Sequence, residues 1–496
     1  MKANKGKRSV YLNYRIGEII KTRIKKEKNI EQRLSLISYL SNYYIHNFSG
    51  KYSDEFLESE LIKVGEQINI RYNYDEVKKN TILHVMTKAY SIGGHTAVVN
   101  NWIKFDKSKV HSVLLTDSER QEVPKFLINT IKESGGKLLF LKNNVSKIDK
   151  AKQLLSLSQG YEKIVLSTHM DDIIPIISYS NKQWKTPIYF YNHANFLFSL
   201  GISISDLVLC ICEYDKEKAI KYRGASKTEV LPVPYTVIGN YEVILSKQEA
   251  KRYISENYNI PIDSKIIISM GSNYKYNKIE GYDFAKFVEK LLSELSGNTY
   301  FIIIGADKGS KRWIELNKKT NGHMIALGYL EREEVTKLMK GADLYIDSFP
   351  MASGGCLEAL HENIPTITLK ITERVKEAYG KFSYKSTDKM VEAAKKVLDE
   401  NQTLLTETEL KKVLYYFSKE NWLRMLSNIY RYQLEHKINE FNNKKIFSKE
   451  EVINFQLFDK NVIYSLDNSK FNTVNKMYLF IINFILKAIK YLLNLN

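Results

Sequence analysis

Short apolar runs alternate with amphipathic stretches through the first half of the chain. The runs predict six strands: Ile82–Met86, Ser112–Leu115, Lys137–Leu141, Ile164–Leu166, Ile188–Tyr191 and Leu207–Cys212. Polar stretches with helical spacing lie between them, such as Pro124–Ser134 and Lys147–Ser158. Because strands that alternate with helices form parallel sheets, residues 79–235 are predicted to be one α/β domain.

A second series of the same kind predicts another α/β domain over residues 236–420. Its strands are Lys265–Met270, Tyr300–Ile304, Met324–Ala326, Leu344–Ile346 and Thr366–Leu369, with helices such as Asp283–Leu295 and Arg332–Met339. Leu231–Tyr235 contains two prolines, which favour extended backbone and block a helix. This segment is therefore the predicted interdomain linker.

Two further segments flank these domains. Residues 1–78 are charged and carry apolar residues at helical spacing, which predicts a helical prefix packed on the first domain. The tail, residues 421–496, ends in a stretch whose polar residues recur at steps of seven, four, three and four: Lys476, Asn483, Lys487, Lys490 and Asn494. This spacing predicts an amphipathic helix over 476–496 that lies in the headgroup region of a membrane, with its lysines toward anionic lipid.

A membrane-spanning tail is disfavoured, because the longest uncharged run, Met477–Leu486, has ten residues and a spanning helix needs about 20. A terminal helix docked into a groove of the protein is the alternative. The three cysteines are too few for a disulfide framework and indicate a reduced, cytoplasmic setting. No apolar segment follows the basic first eight residues, so we expect no signal peptide.

The chain has 496 residues, more than one core usually supports, and 44% of them are hydrophobic. Its net charge of +18 and pI near 9.3 are compatible with three partners: nucleic acid, an anionic membrane surface or a phosphorylated substrate. The basic residues are dispersed and do not cluster with a recognised module, which disfavours nucleic acid.

The stretch Asp347–Leu360 combines a strand end, a glycine turn and the start of a helix. Ser353, Gly354 and Gly355 offer backbone N–H groups, and the helix that follows points its positive end at an anion bound there. Glu358, one turn into that helix, is placed to accept hydrogen bonds from a ribose diol. The stretch therefore predicts a nucleotide-diphosphate site.

A second glycine turn, Ser91–Ala97, follows the predicted strand Ile82–Met86 and includes Gly94 and His95. A lone glycine pair is a weak signal, but one such turn in each half predicts two Rossmann-like units that face each other across a cleft.

With both turns in view, the chain resembles bacterial GT-B glycosyltransferases of the family 4 and family 1 type over residues 80–400. Four segments carry the resemblance: Ser91–His95, Ser167–Asp172, Tyr191–Gly201 and Ser353–Leu360. The resemblance implies the GT-B fold, an α/β architecture with two Rossmann-like domains. It also implies a nucleotide-sugar donor, with a UDP-sugar expected, bound in the C-terminal domain and an acceptor in the N-terminal domain.

The resemblance assigns the donor site residue by residue. Glu358 matches the acid that holds the ribose, and Ser353, Gly354 and Gly355 match the backbone contacts to diphosphate. The segment Met270–Lys278 matches the one that carries a phosphate-binding base, with Lys275 as first choice and Lys278 as second. The predicted binding set also includes Gly271 and Gly94.

A preorganised ammonium stabilises the charge that develops on the departing diphosphate, so the resemblance implies no metal and no cofactor besides the nucleotide-sugar substrate. Asp171 and Asp172 follow a strand of the acceptor domain and are not expected to bind a metal.

Three histidines are the catalytic candidates. His193 follows the strand that ends at Tyr191, and so it is expected at the rim where open α/β sheets bind ligands. It matches a cleft histidine of these transferases, which contacts the sugar or takes a proton from the acceptor hydroxyl. His169, also at a strand end, is expected to orient the acceptor or support His193, and His95 lies in the first glycine turn.

One departure from the family pattern leaves the stereochemistry open. Retaining members of family 4 carry a second glutamate eight positions before the ribose-binding acid, and Pro350 stands there in this sequence. The predicted activity is transfer of a hexose or N-acetylhexosamine to a hydroxyl of a surface polysaccharide, glycolipid or glycoprotein at the inner face of the membrane.

The alternatives are a catalytically silent partner subunit, which the missing acid favours, and a UDP-sugar 2-epimerase of the same fold. Assembly into homo- or hetero-oligomers stays open.

Overall fold

A computed structural model describes residues 2–72, 77–91, 94–233, 245–279, 281–371, 380–440 and 471–492. The chain divides into two compact units, Met1–Pro234 with Trp422–Asn496, and Tyr235–Asn421. The predicted linker Leu231–Tyr235 spans this division, and its last two residues lie outside the described ranges. The segments predicted as prefix and tail both belong to the first unit.

The first unit contains a parallel sheet of seven strands in the order β3-β2-β1-β4-β5-β6-β7. The strands are β1 Lys78–Met86, β2 Val110–Leu115, β3 Leu138–Phe140, β4 Tyr161–Ser167, β5 Ile188–Tyr191, β6 Leu207–Cys210 and β7 Thr228–Val230. Six of them lie where apolar runs predict strands. The seventh, β7, was not predicted.

Among the described residues, eight α-helices precede the division between the units: α1 Lys2–Lys26, α2 Ile30–His46, α3 Glu55–Gly65, α4 Gly94–Phe105, α5 Lys125–Glu133, α6 Lys147–Ser158, α7 Ile174–Tyr179 and α8 Glu213–Lys218. Side chains cap several of them; the Asn29 side chain, for example, accepts from Gln32 N and the Asp54 side chain from Leu57 N. Such caps satisfy backbone donors that a helix start leaves open.

The first three helices are part of the first unit's core. Ile20, Leu34 and Leu61 are fully buried in the same cluster as Leu83 of β1 and Ile164 of β4. Burying such side chains stabilises each by about 1.5–3 kcal/mol relative to exposure. The prefix therefore covers a face of the sheet that would otherwise be exposed.

The second unit contains a parallel sheet of six strands in the order β10-β9-β8-β11-β12-β13. The strands are β8 Lys265–Met270, β9 Thr299–Ile304, β10 Met324–Gly328, β11 Leu344–Ile346, β12 Thr366–Leu369 and β13 Ser383–Tyr384. The last, with two residues, was not predicted. The helices are α9 Lys247–Tyr258, α10 Phe284–Glu294, α11 Lys311–Lys319, α12 Arg332–Lys340, α13 Gly355–His361, α14 Thr387–Leu398 and α15 Glu407–Tyr416.

Two helices follow, α16 Lys419–Tyr430 and α17 Thr473–Leu492. Trp422 of α16 packs edge-on against Trp102, with the ring centroids 5.7 Å apart. Leu479, Ile482 and Leu486 of α17 are buried in the core of the first unit. One face of the terminal helix is thus docked on the protein. None of the described helices is long and apolar enough to cross a membrane.

Both sheets reverse their strand order at one point. In the first, β1 lies between β2 and β4, so the chain turns back between β1 and β4; in the second, it turns back between β8 and β11. Open parallel sheets bind ligands at the carboxyl ends of the strands beside such a point. The segments after β1, β4, β8 and β11 are therefore where binding residues are expected.

Candidate functional site

In the second unit, the turn after β11 is organised by Asp347, which is buried. Its Oδ1 accepts hydrogen bonds from Ser348 N at 2.9 Å, Ser353 N at 3.0 Å and Ser353 Oγ at 2.7 Å. Its Oδ2 has no hydrogen-bond partner among the described residues. Burial raises the pKa of Asp347 to about 6, against the opposing effect of the Ser353 bonds and the Lys275 charge.

These bonds change the role that the sequence predicts for Ser353. Its N–H donates to Asp347, and Gly355 N donates to Ser353 Oγ at 3.2 Å. Two of the backbone donors predicted for the diphosphate therefore hold the turn itself together. The third predicted donor, Gly354, is the residue just before α13, and no atom lies within 4 Å of the position that a Cβ would take there.

Gly355 is required by close packing. A Cβ at this position would lie 2.3 Å from Tyr345 Oη and 2.7 Å from Met270 Cε, distances that no side chain tolerates. Tyr345 Oη also contacts Ser353 Oγ at 3.0 Å and donates to the Met270 carbonyl at 3.3 Å. The glycine therefore lets α13 approach the end of β8.

Lys275 connects the end of β8 to the glycine turn. It lies in a short 3-10 turn, Asn273–Tyr276, and its Nζ donates to the Ala352 carbonyl at 3.0 Å. Gly271 lies beneath it, since a Cβ there would be 3.3 Å from Lys275 Cδ and 3.2 Å from Ser348 Oγ. The structure thus brings Lys275, Gly271 and Ser353–Gly355 together at the point where the second sheet reverses.

Lys278 points elsewhere. Its Nζ forms an ion pair with Asp283 at 3.0 Å, and its side chain is 65% exposed. Asp283 also caps α10 and pairs with Arg312. Of the two predicted lysines, Lys275 thus contacts the glycine turn and Lys278 pairs with Asp283.

Glu358 lies on α13 with its side chain 13% exposed, and its Oε2 accepts a hydrogen bond from Arg332 Nη2. Arg332 begins α12, which follows β10. The ion pair holds the carboxylate through Oε2. Sequence reasoning missed Arg332 as a partner because the two residues are 26 positions apart.

In the first unit, the three candidate histidines form one cluster. The ring centroids of His95 and His193 are 4.5 Å apart, and those of His95 and His169 are 6.3 Å apart. His95 is the second residue of α4, which follows β1, His169 follows β4 and His193 follows β5. The turn after β1 and the ends of β4 and β5 thus bring all three rings together.

The hydrogen bonds of two rings define their tautomers. His95 Nε2 lies 2.6 Å from the Ser167 carbonyl and His193 Nδ1 lies 3.3 Å from the Tyr191 carbonyl. Because a carbonyl only accepts, these two nitrogens carry the protons. Burial lowers the pKa of His95 to about 4 and, together with the neighbouring His95, that of His193 to about 3. Both rings are neutral at pH 7.

A pKa near 3 makes His193 a weak base, because an efficient general base has a pKa near the working pH. Its Nε2 carries no proton and can accept a hydrogen bond from a hydroxyl.

His169 is held by Tyr90 and Thr87. The Tyr90 ring stacks on it with a centroid separation of 5.9 Å, Tyr90 Oη lies 3.2 Å from His169 Nε2, and His169 N donates to Thr87 Oγ1 at 2.8 Å. Thr87 Oγ1 donates in turn to Asp172 Oδ2 at 2.7 Å. Asp172 also accepts from Thr116 Oγ1 at 2.6 Å and Ile174 N at 3.0 Å, so it ties together the ends of β1, β2 and β4.

The loop after His193 depends on a buried cation that the sequence did not reveal. Arg223 donates to the carbonyls of Ala194 at 3.1 Å, Leu197 at 2.7 Å and Tyr52 at 2.8 Å. Burial lowers its pKa to about 10, and the guanidinium stays charged at neutral pH. Arg223 is a positioning residue for this loop.

Glu58 of α3 holds the far end of the same loop. Its buried carboxylate accepts from Gly201 N at 3.0 Å, Ile202 N at 3.3 Å and Ser203 N at 2.8 Å. Burial raises the pKa of Glu58, although these bonds oppose the shift. The helical prefix therefore shapes the loop that carries His193.

The remaining predicted residue, Gly94, is the exposed first residue of α4, with open space around its Cα. Ile92 and Gly93 of the same turn lie outside the described residues. Within the part of the chain that the structure describes, no group of three His, Cys, Asp or Glu side chains is arranged to hold a metal ion.

No protein-family model matches the chain, and no curated protein matches it either. Solved structures do. A glycosyltransferase from Rickettsia africae aligns with a TM-score of 0.55 at 14% identity, over 71% of this chain and 98% of that one. The O-GlcNAc transferase of Thermobaculum terrenum, as a mutant, aligns with a TM-score of 0.50 at 10% identity, over 85% and 81%.

The lipopolysaccharide outer core galactosyltransferase WaaB aligns with a TM-score of 0.50 at 16% identity, over 70% of this chain and 98% of that one. At these identities the likeness concerns the fold. It agrees with the two parallel-sheet α/β units and their strand orders, and the fold predicted from the glycine turns is confirmed. This chain has the GT-B fold of glycosyltransferases.

Proposed function

We propose that the protein transfers a hexose or N-acetylhexosamine from a UDP-sugar to a hydroxyl of a surface polysaccharide, glycolipid or glycoprotein. One observation carries the proposal: Lys275 Nζ donates to the Ala352 carbonyl at 3.0 Å. This contact puts a cation and the glycine turn in the same place, at the carboxyl ends of β8 and β11. A diphosphate is the ligand that such a pair suits.

In this proposal, each group has one task. The Lys275 ammonium and the start of α13 stabilise the negative charge that the nucleoside diphosphate gains as the glycosidic bond breaks. Glu358 Oε1 accepts from the ribose hydroxyls while Arg332 holds Oε2. In the first unit, neutral His193 accepts a hydrogen bond from a sugar hydroxyl, and His95 and His169 fix its position.

The test is a panel of UDP-, GDP- and ADP-sugars in thermal shift and donor-hydrolysis assays. We expect a UDP-sugar to raise the Tm and to be hydrolysed slowly without acceptor. Lys275→Ala should reduce turnover about 10²–10³-fold. Lys311→Ala is the matched control, since Lys311 is 91% exposed on α11. If no nucleotide or nucleotide sugar binds, the proposal is wrong.

Product analysis separates the alternatives. Epimerised donor in the absence of acceptor indicates the 2-epimerase. Binding of donor without turnover, together with co-purification of a second transferase, indicates a silent partner subunit, for which Pro350 in place of the family glutamate is the supporting observation.

Attachment to the inner face of the cell membrane is also part of the proposal, because a lipid-linked acceptor would be located there. The basic character of the chain supports it, since Lys and Arg exceed Asp and Glu by 18.

A further inference from the structure

Helix α17 has two apolar faces. One packs into the first unit through Leu479, Ile482 and Leu486, and Asn475 on the same face is fully buried. The opposite face is exposed and consists of Met477, Phe480, Ile481, Phe484 and Ile485, which are between 47% and 67% exposed. Their spacing at i, i+3, i+4, i+7 and i+8 makes one continuous stripe. We call it the outer stripe.

The polar residues of α17 lie along one edge of the outer stripe. They do not form a polar face opposite the buried one. Asn483 Oδ1 accepts from Tyr39 Oη of α2 at 3.3 Å, and Lys487 is exposed beside it. A helix that simply docks on a soluble protein directs its polar side to water. In α17, large apolar side chains are exposed to water on that side. Contiguous apolar surface of this kind marks an interaction site.

Helix α1 supplies positive charge next to the outer stripe. Lys25 and Lys26 at its end are exposed, whereas Lys21 and Arg23 face inward and pair with Asp54 and Glu27. Its exposed side includes Arg8, Arg15 and Ile19. Tyr478 Oη of α17 donates to the Ile19 carbonyl at 2.9 Å, so the exposed sides of the two helices adjoin.

We propose that the outer stripe of α17 and the basic side of α1 together bind an anionic lipid bilayer. The apolar side chains of the stripe enter the boundary between headgroups and acyl chains, and the cations of α1 contact lipid phosphates. This differs from a free amphipathic tail whose lysines face the lipid, because α17 stays docked on α1 and α2 and presents its second apolar face.

Charge complementarity favours a bilayer over a second copy of the chain. In a symmetric dimer the same patch meets itself, so the basic α1 helices would border one shared interface and repel each other. An anionic membrane attracts the same charges. The outer stripe and the basic side of α1 therefore suit an anionic bilayer better than a second copy of the chain.

The docking of α17 also explains how binding can occur without unfolding. Arg23 Nε donates to Asn475 Oδ1 at 2.8 Å, and Asn475 Nδ2 donates to Glu27 Oε2 at 3.0 Å. These bonds to Arg23 of α1 and to Glu27 just after it hold α17 in place. The outer stripe is therefore preorganised, and binding does not require the helix to become ordered.

The experiment uses the full chain and sedimentation with two kinds of vesicle: phosphatidylcholine alone, and phosphatidylcholine with about 30 mol% phosphatidylglycerol. We expect binding to the anionic vesicles that weakens with salt, and little binding to the neutral ones. The triple variant Met477→Ser, Phe480→Ser, Phe484→Ser should bind at least about ten-fold more weakly. All three side chains are more than 60% exposed, so its Tm should be unchanged.

The matched control is the triple variant Ile314→Ser, Tyr329→Ser, Tyr415→Ser. It removes exposed apolar side chains of the second unit and should bind like the wild type.

A second variant, Arg8→Gln with Arg15→Gln, tests the cations of α1 and should lose the preference for anionic vesicles. Equal binding by the wild type and the triple serine variant would overturn the proposal. The proposal would also be overturned if the wild type is a dimer that does not bind vesicles and the triple serine variant is a monomer. Donor hydrolysis in solution is a separate readout and reports on the transferase proposal alone.

Discussion

The imidazole rings of His95 and His193 pack with their centroids 4.5 Å apart, each bonded through one nitrogen to a strand-end carbonyl. The pair is therefore fixed in tautomer as well as in position. In His193, Nδ1 is the bonded nitrogen, so Nε2 is left as the acceptor.

Replacing His193 should lower activity more than binding of the donor. For His193→Ala we expect kcat/KM to fall roughly 10-fold, the contribution of about one hydrogen bond, because the acceptor nitrogen is lost. His193→Gln should retain part of the activity, since its amide oxygen can accept the same bond. His46→Ala, in the prefix, is the control. Steady-state kinetics with the identified donor measures the effect, and unchanged kcat/KM in His193→Ala would contradict the assignment.

The same two histidines should make the fold acid-sensitive. Both have a folded-state pKa below the ordinary value near 6.5, so the unfolded chain binds protons more readily as the pH falls. Stability is then fully present above about pH 6.5 and is lost toward pH 4, by about 1.4 kcal/mol per pH unit for each ring. Asp347, with its raised pKa of about 6, acts in the opposite direction below pH 6.

Denaturant unfolding at several pH values measures this dependence. The variant His95→Asn with His193→Asn should show a flatter pH profile than the wild type, because asparagine does not titrate. Parallel profiles would show that these rings are not the source of acid sensitivity.

Two neighbouring glycines should respond differently to alanine. Gly355→Ala places a methyl group 2.3 Å from Tyr345 Oη, and overpacking of this kind costs about 1–3 kcal/mol. It should also displace the turn and weaken donor binding. Gly354→Ala meets no atom within 4 Å and has an ordinary helical φ of −75°, so both stability and binding should be retained. Thermal unfolding and donor titration compare the two variants.

Arg223 should be needed for the shape of the loop after His193. Arg223→Met leaves the carbonyls of Ala194 and Leu197 without their donor, which we expect to cost roughly 3 kcal/mol. Arg223→Lys keeps the charge but not the forked geometry, and so should be intermediate. Urea unfolding measures both. If the methionine variant is as stable as the wild type, the loop does not depend on this cation.

Chelation should leave activity unchanged. The proposed leaving-group stabilisation comes from the Lys275 ammonium and the start of α13, neither of which needs a divalent cation. Donor hydrolysis with excess EDTA should equal the untreated rate. A loss that Mg²⁺ or Mn²⁺ restores would show that a metal takes part.

Most strands could be predicted because they are buried on both faces and read as continuous apolar runs. β5, β8, β11 and β12 have the predicted bounds. The two that were missed are short: β7 has Glu229 at its centre, and β13 consists of Ser383 and Tyr384. Their pairing depends on the neighbouring strand, which a local pattern does not encode.

Position relative to a strand end predicted His169 and His193 as candidates, and the first glycine turn supplied His95. This reasoning did not reveal the polar partners that hold the candidate residues and their loops. Arg332 reaches Glu358 from another helix, and Glu58 binds Ser203 from 145 positions away. Such polar contacts leave no periodic signal in the sequence.

The contact between Glu58 and the 201–203 backbone bears on how smaller versions of this protein can be designed. A fragment trimmed to begin at the first strand would expose three amide groups and remove the carboxylate that they bind. The loop after His193 would then lack this anchor even if both sheets still formed. Shortened versions should therefore keep α3 together with the first sheet.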